Sequence, residues 1–434
     1  MQRKDPKSII DHGGMSVGQW LAVLVTVGLN AMDGFDVLSI SFASPGIAQD
    51  WGVGKAALGW VLSMELVGMA VGSVLLGGVA DKIGRRPTIL ACLFAMSAGM
   101  FGASVAGGVP TLLAYRLLTG LGIGGMLASI NAAVAELSSL RWRSVAVALM
   151  VVGYPLGGIT GGIIVQQLLG IGTWHDVFIF GGLITAIFIP IVWFLLPESV
   201  DFLDRRGKPG AVQAINRILT RFGHEAIAAL TPGTAESPQH SVMDIFKPGL
   251  ILTTVLVTVG YFTHVVSFYF IIKWVPKLVV DMGFAPRAAA GVLTWLNVGG
   301  ATGVAIFGLI GTRVGLKALT IVTLLGSSAM VVWFGRGPHD LTSLATTVAI
   351  AGMFINAGIG GYYLLFAKVF PTHVRATGTG FAIGVGRGGA VLAPVVAGYL
   401  FQAGFAMPTV ATLMAMGSLL SAGALLALKV RAAQ

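Results

Sequence analysis

Apolar runs of roughly 20 residues recur along the whole chain and are separated by short polar segments. A bilayer core about 30 Å thick is crossed by about 20 helical residues, so each run predicts a membrane-spanning helix. The predicted spans are 20–47, 56–80, 87–106, 110–136, 143–168, 177–196, 249–274, 288–311, 318–335, 342–367, 376–402 and 407–428. The pattern therefore predicts an all-α integral membrane protein with twelve transmembrane helices.

The longest polar stretch, between Pro197 and Pro248, divides these spans into six and six. It is rich in basic residues, and its pattern predicts a short amphipathic helix around Val212–Phe222. We expect a six-helix bundle at 1–199, a cytoplasmic loop between the bundles at 200–247, and a second six-helix bundle at 248–434.

The two halves repeat one another with a shift of 231 residues. Gly77–Gly84 falls on Gly308–Gly315, and Pro45 falls on Pro276. Tandem halves of parallel orientation are typical of transporters that hold their substrate at the interface between the repeats. The repeat predicts two pseudo-symmetric bundles with a central site.

Composition supports the membrane assignment, with 56% hydrophobic residues and a mean hydropathy of +0.88. The net charge of +10 is unevenly placed: of 27 Lys and Arg residues, 20 fall on the side of the termini and two, Arg116 and Arg387, fall inside predicted spans. The five on the other side are predicted to be Lys55, Lys273, Lys277, Arg287 and Arg336. By the positive-inside rule both termini are cytoplasmic, so the charge indicates topology rather than a nucleic-acid partner.

Two acids, Asp33 and Asp36, interrupt the first apolar run three residues apart, on one side of the helix. A charge at this depth costs at least about 2.5–3.5 kcal/mol, so an intramembrane acid is a functional candidate. The alternative is that Asp33 caps a kink made with Gly34. The repeat shift places Asp33 on His264, whose imidazole titrates near neutral pH. We predict proton coupling by Asp33, Asp36 and His264, the alternative for His264 being a histidine hydrogen-bonded within its bundle.

Arginine side chains inside the membrane suggest an anionic substrate, because a guanidinium binds a carboxylate through two hydrogen bonds. Arg116 has two alternatives: it snorkels toward the membrane surface, or it pairs with an acid of the first helix. We predict substrate binding by Arg116, Arg387, Asn356 and Tyr154. Glu65 also lies within a span, and the sequence assigns it no role.

The loop after the second span reads Gly77-xxx-Asp81-Lys-xx-Gly84-Arg-Arg86. Gly84 permits a tight turn with positive φ, and Asp81 can cap a helix end. This loop resembles the signature loop of the major facilitator superfamily, which in that superfamily helps to latch one state of the transporter. Together with Glu136 and Arg375, near the cytoplasmic ends of their helices, the predicted gating residues are Gly77, Asp81, Gly84, Arg85, Arg86, Glu136 and Arg375.

The chain further resembles the aromatic acid:proton symporters of that superfamily. The resemblance rests on Asp33-Gly-Phe-Asp36, on Arg116-xxx-Gly-Leu-Gly-Ile-Gly-Gly and on Pro371-Thr-xx-Arg375-Ala-Thr-Gly followed by Arg387. It implies the major facilitator fold and uptake of benzoate-like, hydroxybenzoate-like or muconate-like acids with protons. It also implies roles in transport for the acids of the first helix, for Arg116 and Glu136, and for Arg375 and Arg387. Met126–Ile130 departs from the family, which usually has a proline there, and so does Glu65.

We therefore expect a proton-coupled symporter that imports a small aromatic or related unsaturated carboxylate across the bacterial inner membrane by alternating access. The alternatives are a proton-driven exporter of drugs or aromatic acids, and a membrane sensor that binds solute without moving it. An enzyme is not expected, because the sequence offers no nucleophile–base pair, metal cluster or cofactor loop. The expected partners are the substrate, protons and the lipid bilayer, with no cofactor, no metal and no nucleic acid, and we expect a monomer.

Overall fold

The computed structural model describes residues 6–207, 209–229, 242–311, 313–337, 340–371 and 374–428. These residues form fifteen α-helices, with a short 3₁₀ helix at Val242–Phe246 and no strand in the ranges given. The helices are α1 Pro6–His12, α2 Val17–Asp50, α3 Lys55–Ile83, α4 Arg85–Ser104, α5 Val109–Leu137, α6 Arg143–Ile171, α7 Trp174–Leu195, α8 Val200–Arg206, α9 Ala211–Arg221, α10 Ile251–Asp281, α11 Pro286–Gly311, α12 Leu316–Gly335, α13 Leu341–Val369, α14 Arg375–Gln402 and α15 Met407–Ala427.

Twelve of the described helices, α2–α7 and α10–α15, are long and apolar enough to cross a membrane. The prediction of twelve spans is confirmed, although most helices extend a few residues beyond the predicted ends. The 34 residues of α2 correspond to about 51 Å, more than the roughly 30 Å of a bilayer core. Its ends therefore reach beyond the hydrocarbon region, and Asp33 falls at its middle.

The shift of 231 residues holds for the helix boundaries as well as for the motifs. Moved by 231, α4 falls on 316–335, which is the range of α12, and the last residue of α2 falls on the last residue of α10. Pro45 and Pro276 lie inside α2 and α10, at corresponding positions. The predicted fold class, two pseudo-symmetric six-helix bundles, is confirmed, while the boundaries 1–199, 200–247 and 248–434 stay a prediction.

The segments outside the two bundles gather on one side of the molecule, which we call the basic face. The predicted amphipathic helix is present as α9, and Ile215 and Leu219 of its apolar side are fully buried. They pack in one cluster with Ile10 of α1, Val200 of α8 and Ile227. The sequence pattern did not predict α1 or α8, which are short helices of seven residues each.

The other side, where α2 and α10 end and α3 and α11 begin, is called the opposite face. Here the bundles touch directly: Lys55 of α3 pairs with Asp281 of α10 at 2.8 Å. Deeper in the interface, the Ser63 hydroxyl donates to the carbonyl oxygen of Val391 in α14 at 2.8 Å. These contacts close the half of the interface that leads to the opposite face.

Candidate functional site at the bundle interface

The two predicted acids lie at the middle of α2 and are almost completely buried. Asp33 and Asp36 are each 1% exposed, and neither carboxyl group has a hydrogen-bond partner among the described residues. Close packing of α2 on α6 fixes their position, since a Cβ atom on Gly34 would overlap the main-chain carbonyl of Tyr154. Two buried carboxyl groups without donors are costly when ionised, which is typical of groups that exchange protons or bind a ligand.

Arg116 pairs with Glu65 of α3, and neither side chain has exposed surface. Its guanidinium also donates to the carbonyl oxygen of Asp36 at 3.1 Å and lies 5.4 Å from the ring centre of Phe178. The snorkelling alternative is therefore wrong, and the acid that pairs with Arg116 comes from α3 rather than from the first membrane helix. Substrate binding by Arg116 stays a prediction.

Lys273 corrects the charge distribution inferred from the sequence, which assigned it to the other side of the membrane. Its side chain has no exposed surface, donates a hydrogen bond to the carbonyl oxygen of Val37 in α2, and lies 3.6 Å from the Glu65 carboxylate. The error arose because the predicted span stops at 274 whereas α10 continues to Asp281. The repeat held the missing signal, since Lys273 shifted back by 231 falls on Phe42, inside the first span.

Arg387 of α14 is partly buried and crosses the interface between the bundles. It donates a hydrogen bond to the carbonyl oxygen of Met69 in α3 at 2.9 Å. It also lies close enough to Asp33 for the two charges to attract each other. The structure thus brings together two residues, Arg387 and Asp33, that the sequence assigned to substrate binding and to proton coupling.

Tyrosine side chains surround this pair. The hydroxyl groups of Tyr261 in α10 and Tyr363 in α13 lie 3.4 Å apart, and Tyr363 is 48% exposed. The Tyr261 ring packs on the backbone next to Arg387, since a Cβ atom on Gly386 would overlap it. Tyr154 lies within electrostatic range of both Asp33 and Tyr363. The sequence analysis selected Tyr154 but missed Tyr261, because single tyrosines in apolar helices carry no local signal.

Two further candidates lie inside the second bundle. His264 has no exposed surface, its Nε2 lies 3.0 Å from the carbonyl oxygen of Ile355, and its Nδ1 lies 2.9 Å from the hydroxyl of Ser418. Nε2 therefore carries the proton, and Nδ1 accepts from Ser418. Asn356 donates to the carbonyl oxygen of Gly352 within its own helix. Proton coupling by His264 and substrate binding by Asn356 stay predictions.

The signature loop lies on the basic face. Gly84 ends α3 with φ of 112°, as the predicted tight turn requires. Arg85 pairs with Asp81 at 2.5 Å and with Glu136 at 3.0 Å, and its backbone N–H donates to Glu198 at 2.9 Å. Burial raises the pKa of Glu198 above that of an ordinary glutamate. Sequence analysis did not select Glu198, which tightens this network.

The remaining gating candidates have simpler surroundings. Gly77 lies within α3, and Arg86 donates to the carbonyl oxygen of Trp193 and lies over its ring. Arg375 is exposed at the start of α14 and reaches the carbonyl oxygen of Phe370 at 3.4 Å. Gating by the seven residues stays a prediction.

Comparison with known proteins assigns the class. The sequence profile of the Major Facilitator Superfamily matches residues 25–394, so the chain belongs to this superfamily of transporters. Solved structures share the fold: a D-xylose-proton symporter with TM-score 0.70, 17% identity and coverage of 92% of this chain and 97% of that one, and a bacterial homologue of the human lysosomal transporter Spinster with TM-score 0.72, 15% identity and 95% coverage of both. The protein is therefore a multi-pass membrane transport protein and not an enzyme.

Relatives narrow the group. A gallate transporter of Pseudomonas putida is 30% identical over 427 residues, which are 98% of this chain and 94% of the relative. The 4-hydroxybenzoate transporter PcaK of Pseudomonas aeruginosa is 29% identical, with 98% of this chain and 96% of the relative covered. A benzoate transport protein of Acinetobacter baylyi is 27% identical over 91% of this chain and 86% of its own length. The resemblance to the aromatic acid transporters of the superfamily is confirmed.

Proposed function

We propose that this chain imports a small aromatic carboxylate together with a proton, by alternating access across the bacterial inner membrane. The carrying observation is the pairing of partly buried Arg387 with buried Asp33 at the bundle interface, in a chain whose relatives carry gallate, 4-hydroxybenzoate and benzoate. The basic face is then cytoplasmic, in agreement with the excess of Lys and Arg on the side of the termini.

Arg387 binds the substrate carboxylate. Its hydrogen bond to Met69 uses one of the five N–H groups of a guanidinium, so a planar fork remains for a bidentate pair. Arg116 is the second candidate, but binding a carboxylate there requires exchange with Glu65, its present partner. Arg387 is therefore the residue we expect to contact substrate first.

The aromatic ring of the substrate lies among tyrosines. The rings of Tyr261 and Tyr363 have centroids 6.2 Å apart, and the exposed part of Tyr363 offers a surface for stacking. Phenolic hydroxyl groups on the bound acid match the hydroxyl groups of these side chains. This arrangement favours an aromatic over an aliphatic carboxylate of the same charge.

The proton balances the charge of the bound anion. The site holds three acids, Asp33, Asp36 and Glu65, and three bases, Arg116, Lys273 and Arg387. A substrate carboxylate adds one negative charge, and protonation of Asp33 removes one. Leaving a buried charge uncompensated costs about 3–5 kcal/mol, so the loaded site closes more readily with the proton than without it.

A ligand panel on the purified protein tests the substrate class. Benzoate, 4-hydroxybenzoate and gallate are expected to raise the apparent unfolding temperature, and aliphatic acids of similar size are not. In Arg387→Met the aromatic acids lose this effect. Equal stabilisation by aromatic and aliphatic acids, or an unchanged response in Arg387→Met, would overturn the assignment of the site.

A further inference from the structure

We propose that Lys273, Val37 and Glu65 form a buried latch that holds the opposite face closed, and that protonation of Glu65 releases it. Lys273 belongs to α10 in the second bundle, whereas Val37 and Glu65 belong to α2 and α3 in the first. One ammonium group thus ties two helices of the first bundle to the second. The latch rests on alternating access by this fold and not on which substrate is carried.

Geometry makes the Lys273 ammonium part of the closed interface. The side chain has no exposed surface, one N–H donates to the Val37 carbonyl, and the Glu65 carboxylate lies 3.6 Å away. A helix carbonyl oxygen has two lone pairs, so Val37 can accept this bond in addition to the one within its helix. Separating the bundles on this side breaks both interactions at once.

Glu65 is the acid that matters for this ammonium. Within the described ranges, it is the acid within ion-pair distance of Lys273. The charged and titratable groups around Glu65 come from α2, α5, α6 and α10, and are Asp33, Asp36, Arg116, Tyr154, Tyr269 and Lys273. The carboxylate therefore serves two cations, Arg116 and Lys273.

The two cations respond differently when Glu65 takes up a proton. Arg116 keeps its hydrogen bond to the Asp36 carbonyl and remains attracted by the Asp36 carboxyl group. Lys273 keeps only a neutral carbonyl partner among its contacts named above, and a buried ammonium without a counter-charge is unfavourable. Protonation thus weakens the closed interface at Lys273, which moves into water when the bundles separate.

A second inter-bundle ion pair provides a matched control. Lys55 and Asp281 also join α3 to α10, but their side chains are 39% and 31% exposed. Water screens such a pair, so its contribution to closure is small. Neutralising Lys55 removes an inter-bundle charge contact of the same chemistry from the same pair of helices without touching the latch.

The experiment measures the separation of the bundles at the opposite face by pulsed electron paramagnetic resonance, without substrate. Spin labels are placed on Ile171→Cys and Phe405→Cys, both exposed, with buried Cys92 replaced by alanine. The parent protein in nanodiscs is expected to show mainly the short distance at pH 8, and a growing long-distance population at pH 5.5.

Variants then locate the cause. Lys273→Met is expected to raise the ratio of long to short distances at pH 8 by at least about tenfold. Glu65→Gln is expected to show the long distance at pH 8 with no further change on acidification. Lys55→Met is expected to match the parent at both pH values, and Lys273→Arg to stay closed at pH 8.

Parent-like distances in both Lys273→Met and Glu65→Gln would overturn the latch. A pH response that survives in Glu65→Gln but disappears in Asp33→Asn would overturn the role of Glu65. If Glu65→Gln does not fold, the double variant Glu65→Gln/Lys273→Met removes both charges, and closure in that variant would also overturn the proposal. Failure of the proposed substrate assignment leaves these distances unaffected, so the two proposals fail separately.

Discussion

Arg387 of α14 donates a hydrogen bond to the main-chain carbonyl of Met69 in α3, at 2.9 Å across the interface between the bundles. The same side chain lies within electrostatic range of Asp33 in α2. A single guanidinium therefore joins the second bundle to two helices of the first, at the depth where α2 carries its acids. Any movement of the bundles changes the partners of Arg387, which makes it a suitable sensor of a bound carboxylate.

Arg387→Lys is expected to weaken binding of 4-hydroxybenzoate about tenfold, because lysine keeps the charge but loses the planar fork. Binding is measured by titration calorimetry on purified protein. Arg336→Lys, at the end of α12 and away from the interface, serves as the control and is expected to bind normally. Unchanged affinity in both Arg387→Lys and Arg116→Lys would mean that neither arginine binds the carboxylate.

Asp33→Asn is expected to lose proton-driven accumulation while it keeps exchange of labelled for unlabelled substrate. An amide cannot take up a proton, and exchange requires no net proton movement. Asp50→Asn is the control on the same helix, since its oxygen can still accept the hydrogen bond from Trp174. Normal accumulation by well-expressed Asp33→Asn would reduce this residue to a structural role.

His264 has both ring nitrogens in hydrogen bonds, to Ser418 and to Ile355, so its removal leaves buried polar groups without a partner. His264→Ala is expected to lower the free energy of unfolding by about 1–3 kcal/mol. If the histidine also shares the proton path, His264→Ala and His264→Gln both shift the pH profile of uptake. Profiles identical to that of the parent in both variants would assign His264 to packing alone.

Gly34 sets the approach of α2 to α6, because a Cβ atom there would overlap the backbone of Tyr154. Gly34→Ala is expected to destabilise the protein by about 1–3 kcal/mol, since a backbone carbonyl cannot rotate away as a side chain can. Gly308→Ala in α11 is the control, because no atom lies within 4 Å of the added methyl group. Apparent unfolding temperatures of the two variants decide the matter, and equal values would contradict the close approach.

The fold could be predicted from the sequence because its signals are local and repeated. Apolar runs of the length of a bilayer predict the twelve spans, and one shift of 231 residues relates the halves. The turn at Gly84 was likewise predictable from a short motif. Helices α1 and α8 were missed because seven mainly polar or mixed residues show no clear periodicity.

The pairing of charges in the site could not be predicted. Most of the membrane helices are apolar on nearly all sides, so the sequence does not indicate how each helix is rotated or which residues face one another. Glu65 therefore had no assigned role before its partners Arg116 and Lys273 were located. Lys273 was misplaced because its span was ended at the first charge rather than at the end of the helix.

The central claim is that a proton gradient drives uptake of an aromatic acid. Proteoliposomes buffered inside at pH 7.5 are diluted into medium at pH 5.5 that contains labelled 4-hydroxybenzoate, with protein-free liposomes measuring passive entry of the neutral acid. The account predicts accumulation well above the protein-free level, abolished by a protonophore and absent in Asp33→Asn. Net accumulation that is the same without a pH gradient, or that persists with the protonophore, would contradict it.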